Sequence, residues 1–246
     1  FQVRIGASKA TDGTYIDNLY LRKKGTNDNI LINPSFENTV EPYNGEYGID
    51  REILGDFVSF LKEAEKNGIA VSAMINLHEY PKFILNKHKN LAVKFSTYIP
   101  YNITDEIIRE PIGTFLNGFA DAVKGEKALN GVCLLNEPEY DTRLDKDYYG
   151  TYWHSYLKNK HKTIGNLNGI YGTPYTDFEQ VVMPSDAQDG AVFYDWKMFN
   201  EQIFADYVSF LRSKVKEKSN IPVYFKTMVS NGYRENTGFV ENTDTM

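Results

Sequence analysis

A single cysteine among 246 residues, Cys133, excludes an intramolecular disulfide framework. It sits in the apolar run of residues 131–135 and reads as a small buried hydrophobe rather than a nucleophile. No stretch of about 18 apolar residues occurs, so no membrane span is expected. Positive charge is also scarce: 27 Lys and Arg stand against 33 Asp and Glu, for a formal net charge of −6. The basic residues are scattered, whereas a nucleic-acid footprint needs them clustered. A glycine-rich phosphate loop and a Ser/His nucleophile arrangement are both missing. His78-Glu79 does not open a His-Glu-x-x-His zinc motif, because position 82 is Lys. No metal and no cofactor are therefore expected.

Hydrophobic residues make up 41% of the chain, enough to bury a sizeable core. Tyrosine is abundant, with 18 copies. Tyr suits sugar binding because an aromatic face packs on the C–H face of a pyranose, but Tyr is equally a common strand and core residue.

From Gly48 onward, helical and strand patterns alternate. In residues 51–67 Ile53, Leu54, Phe57, Val58, Leu61 and Ala64 recur at helical spacing, with Asp50 as N-cap and Gly68 as the stop. Residues 69–77 form an apolar run of the kind a buried parallel strand requires. After a loop rich in Lys, Asn, Pro and Tyr, Pro111 is placed in the first turn of a helix that carries Phe115, Leu116, Phe119 and Val123 and ends near Gly125. Residues 131–136 are the next strand. Helical stretches follow at 152–160 and 163–171, then a longer one over about 195–216, and residues 221–228 form another strand. Strands separated by helices in this way argue for βαβ units around a parallel sheet.

Residues 1–37 differ. Phe1 to Ile5 and Tyr15 to Leu21 alternate like antiparallel strands around a Thr-Asp-Gly turn. They read as the tail of a β-sandwich module or a linker. The competing assignment makes them the first barrel strands, with 1–8 and 29–36 as strands and 12–24 as a helix.

Functional side chains in a parallel α/β barrel sit where strands end and βα loops begin. Three strand ends carry suitable groups. Asn136-Glu137-Pro138 directly follows an apolar strand. A carboxylic acid at such a low-dielectric lip has a raised pKa, so it can protonate a leaving oxygen and afterwards activate water. Asn136 is placed to bond a sugar hydroxyl. The end at Asn76-Leu77-His78-Glu79-Tyr80 offers His78 as a hydroxyl partner and Tyr80 as a stacking ring. At the third end Lys226 is a substrate contact, and Tyr140 is a further stacking candidate.

Asn-Glu-Pro after a hydrophobic strand resembles the acid/base strand, strand 4, of the large clan of retaining barrel glycosidases. The pattern Leu157, Lys160, Thr163-Ile164, Leu167-Asn168, Tyr171-Gly172-Thr173, continued by Asp195-Trp196 and Phe199, resembles glycoside hydrolase family 42. Glu41-Pro42, Gly45, Tyr47 and Asp50 extend the likeness over roughly residues 38–230. The resemblance implies an α/β fold of (β/α)8 TIM-barrel type, incomplete here and running from about strand 2 or 3 to strand 5. It also implies residues 38–246 as the partial barrel, and β-galactosidase-like retaining hydrolysis of an oligosaccharide or polysaccharide.

The implied nucleophile, a Glu ending strand 7, has no counterpart in this chain. Glu235 and Glu241 follow no strand. The chain alone is therefore expected to be inactive, and a non-catalytic carbohydrate-binding protein is the alternative. A preceding carbohydrate-binding module would imply a secreted or cell-surface location, and its absence a cytoplasmic one.

Overall fold

A computed structural model describes residues 49, 51–93, 99–136, 138–185 and 189–226. The antiparallel segment expected in residues 1–37, the Asp50 cap and residues 227–228 of the last expected strand lie outside them.

The described chain alternates helix and strand as its apolar patterns require. Helix α1 (Arg51–Lys66) leads to β1 (Val71–Met74) through Gly68, whose φ of 67° ends the helix in a left-handed turn. The loop after β1 contains a short helix, α2 (Lys82–Lys87), which its length hid from periodicity. Helix α3 (Glu106–Val123) precedes β2 (Leu129–Asn136). Two helices follow, α4 (Lys146–His161) and α5 (Ile164–Tyr171), then α6 (Ala191–Lys216) and β3 (Val223–Lys226). The side chains of Asp105, Asp145 and Thr163 accept backbone N–H bonds at the starts of α3, α4 and α5. The Asp145 cap explains why α4 begins earlier than its apolar spacing suggests.

The strands form a three-stranded parallel sheet in the order β1-β2-β3. Sequential order is that of a barrel under construction, since each crossover helix delivers the next strand to the same side. The central strand is buried from Gly131 to Leu135. In the register Met74 lies beside Cys133, and Cys133 beside Tyr224. Cys133 is buried, while Met74 and Tyr224 on the flanking strands are exposed. At Gly131 a β-carbon would meet the Tyr224 ring at 3.2 Å and the Pro222 carbonyl at 3.3 Å, so the side-chain-free position lets β2 and β3 approach. The core lies between the sheet and the helices; α3 and α6 pack on each other within it.

Pro111 is a correction to the sequence reading. It stands inside α3 rather than in its first turn, because Asp105 starts the helix. A mid-helix proline removes the bond to the carbonyl four residues back and crowds it. Here that carbonyl is Ile107, and the Tyr80 hydroxyl donates toward it at 3.4 Å and toward Ile108 at 3.3 Å. A side chain from the β1 loop thus replaces the helical donor that Pro111 lacks.

Candidate active site

Parallel pairing brings the carboxyl ends of all three strands to one edge of the sheet. Ile75 N–H donates to the Cys133 carbonyl at 2.8 Å, which sets the β1 exit beside the last turns of β2. Asn136 pairs with Lys226 in the register, so the β2 and β3 exits are also neighbours. The candidate residues Asn136, His78 and Lys226 follow these exits.

Glu137 itself lies outside the described residues; its neighbours Asn136 and Pro138 are within them. The Oδ1 of Asn136 is buried and has no hydrogen-bond partner among the described residues. An amide oxygen taken out of water without a donor costs free energy, of order 1–3 kcal/mol. Its retention at a strand lip is what a hydroxyl-binding position calls for. His78 is half-buried. Burial holds its imidazole below the ordinary 6.5, with the Glu79 charge opposing, so the ring is neutral at neutral pH. A neutral imidazole can donate or accept at a hydroxyl. The Lys226 side chain lies outside the described residues, although its backbone ends β3.

Two of the stacking candidates are placed elsewhere. Tyr80 is buried against Tyr101, ring centroids 4.8 Å apart, with its hydroxyl directed at α3. Tyr140 is buried too; its hydroxyl shares a 2.6 Å bond with Tyr149 and accepts from Ile103 N–H at 3.5 Å. These rings pack the core in place of a sugar, because their hydroxyls find internal partners that let the whole side chain leave water. Trp153 is likewise buried, donating Nε1–H to the Val181 carbonyl at 2.9 Å.

Sequence reasoning missed how the loop after β2 is held. Asn200, buried in α6, accepts from Thr142 N–H at 2.9 Å and donates to the Tyr140 carbonyl at 2.9 Å. One turn earlier, Trp196 Nε1–H donates to Thr142 Oγ1 at 3.0 Å. The Arg143 guanidinium lies 3.8 Å over the Trp196 ring and bonds Asp141. The available signal was a polar Asn on the apolar face formed by Trp196, Phe199, Ile203, Phe204 and Tyr207. A second buried polar knot joins three helices. Asp195 of α6 accepts from Lys160 at 2.6 Å and His161 at 2.6 Å on α4, and from Tyr171 at 2.7 Å on α5.

A sequentially ordered parallel sheet with helical crossovers is an α/β architecture of the kind a barrel is built from. Residues 37–246 match the sequence profile of glycoside hydrolase family 42, described as beta-galactosidase, and the chain belongs to that family. The described residues are thus an incomplete (β/α)8 barrel. No curated relative matches the sequence.

Among solved structures, an exo-carrageenase of this family from Bacteroides ovatus is 22% identical, TM-score 0.59, with 70% of this chain and 26% of that chain covered. A beta-galactosidase from Bacillus circulans sp. alkalophilus is 17% identical, TM-score 0.65, covering 79% and 31%. The catalytic domain of a beta-amylase from Paenibacillus polymyxa is 12% identical, TM-score 0.59, covering 75% and 56%. The chain spans about a quarter to a third of the first two structures. Among the described residues, no helix is long and apolar enough to cross a membrane.

Proposed function

We propose that this chain is the acid/base-bearing portion of a retaining β-galactoside-type glycosidase. Glu137 protonates the glycosidic oxygen as the bond to the anomeric carbon breaks, and a second carboxylate attacks that carbon from the opposite face. Glu137, now ionised, then takes a proton from the water that releases the sugar. Such a mechanism needs the two carboxyl groups about 5–5.5 Å apart, and none of the described residues is assigned as the second. Asn136 binds a hydroxyl beside the scissile bond. His78, as a neutral ring, and Lys226 contact the sugar from the flanking strands.

The observation that supports this reading best is the buried Asn136 Oδ1, without a partner among the described residues, one position before Glu137. Hydrolysis of 4-nitrophenyl β-D-galactoside by the longest reading frame containing these residues tests it. Glu137→Gln should lower the rate by about 10²–10⁴-fold, the usual contribution of a general acid/base. Cleavage that survives the substitution would refute the role. Binding of galactosides without any cleavage would favour a carbohydrate-binding protein instead.

A further inference from the structure

We propose that Asn200 is a positioning residue for the acid/base, holding the loop that follows Glu137 and so setting where its carboxyl stands. The proposal rests on the reading of Glu137 given above. Asn200 is 2% exposed, on a helix face that is otherwise apolar. Burying an amide there is costly unless both its ends are bonded. Both are, and both to the backbone of one loop: Thr142 N–H and the Tyr140 carbonyl, the latter 60 positions away in sequence.

Helix packing alone would be served as well by Leu. An amide that grips two backbone groups fixes the height and rotation of the loop against α6. Trp196 grips the same buried Thr142 through its hydroxyl, and the Tyr140 ring is held by Tyr149 and Ile103. On the other side, Asn136 is pinned by its pairing with Lys226. In sequence Glu137 follows β2 directly, and only Pro138 and Glu139 separate it from Tyr140, whose carbonyl Asn200 holds. Slack introduced at Asn200 passes to Glu137 because little chain lies between them to absorb it. Misplacing a catalytic group by about 1 Å can cost on the order of 10²-fold in rate.

The chain contains its own control. Asn168 of α5 makes the same double contact, donating to the Tyr175 carbonyl at 2.8 Å and accepting from Tyr175 N–H at 3.1 Å, but it grips the loop after α5. Asn168 is half-buried where Asn200 is buried, so its loss should cost less in stability, and it should leave the Glu137 midpoint unmoved.

The test is a carboxyl ¹³C NMR titration of the longest reading frame containing these residues, labelled at Glu Cδ, with the Glu137 signal assigned by its disappearance in Glu137→Gln. Asn200→Leu should move the Glu137 midpoint by about half a pH unit or more, as expected when a carboxyl changes its burial and partners. Asn168→Leu should leave it in place. An unmoved midpoint in Asn200→Leu overturns the proposal, as does an equal shift in both variants. If Asn200→Leu does not fold, Trp196→Phe carries the test, because it removes the donor to Thr142 while keeping an aromatic ring, though a smaller one, against Arg143 and Phe193. A shift of the Glu137 midpoint in Trp196→Phe with none in Asn168→Leu then supports the clamp, and no shift overturns it. The titration is read without substrate, so its failure is distinct from the survival of cleavage in Glu137→Gln.

Discussion

Asp195→Ala removes the acceptor shared by α4, α5 and α6, and its effect follows from who is left behind. The Asp195 and His161 side chains are 6% and 4% exposed, whereas the Lys160 side chain is 34% exposed and can turn to water. The loss therefore falls on His161 and Tyr171, with little from the lysine. A buried donor left unmade costs about 1–3 kcal/mol; His161 and the half-buried Tyr171 together suggest about 3 kcal/mol, near the low end for breaking a buried charged pair.

With a urea slope of about 2–3 kcal/mol/M, the unfolding midpoint should drop by about 1–1.5 M. Far-ultraviolet circular dichroism follows it, with Glu179→Ala as the comparison. Glu179 pairs with Lys158 on the open surface, side chains 56% and 51% exposed, so its loss should be hardly measurable. Equal midpoints for the two variants would refute the reasoning.

The pH dependence adds a second check on the same residue. Burial pushes the Asp195 carboxyl up, but the bonds from Lys160, Tyr171 and His161 and the lysine charge outweigh it and hold the group below its ordinary 3.8. A lowered folded-state value means the stabilisation is complete above that ordinary value and is lost as pH falls through the folded one. The gap between wild type and Asp195→Ala should thus be full at pH 7 and close below about pH 4.

Tyr80→Phe should cost about 1–2 kcal/mol in urea unfolding, because the carbonyls around Pro111 lose their donor while the ring packing survives. A neutral result would mean that water serves those carbonyls equally well. Gly131→Ala should cost about 1–3 kcal/mol, since the added carbon presses on the Tyr224 ring and the Pro222 backbone in a tight sheet. Combining it with Tyr224→Ala should recover part of the loss, and failure to do so would place the strain elsewhere.

The alternation of helix and strand was legible because long apolar runs with clear periods set it: α1, α6 and the described parts of all three strands lie on the expected runs, while α3 starts earlier, at Glu106. Asn136 closes β2, and His78 follows the end of β1 by four residues. What the sequence could not reveal was the partner of each polar atom. Tyr80 and Tyr140 carry the residue type of a sugar platform. Whether a tyrosine enters the core depends on a carbonyl or hydroxyl waiting there; Ile108 lies 28 positions from Tyr80 and Tyr149 lies 9 positions from Tyr140, each on another element. Pro111 was assigned to a first turn for the same reason, as Tyr80 makes its interior position tolerable. Asn200 was absorbed into an apolar face by its neighbours, although a single amide among aromatic and aliphatic residues marks a place where backbone must be held.

The central claim is that Glu137 transfers the proton at the glycosidic oxygen, and leaving-group dependence tests it most directly. In the longest reading frame containing these residues, Glu137→Ala should cleave 4-nitrophenyl β-D-galactoside far more slowly than the wild type. It should act nearly normally on the 2,4-dinitrophenyl galactoside in the first, bond-breaking step, whose leaving group needs no proton, and added azide should restore turnover by replacing the water that Glu137 activates. Equal losses on both substrates, with no response to azide, would contradict the account.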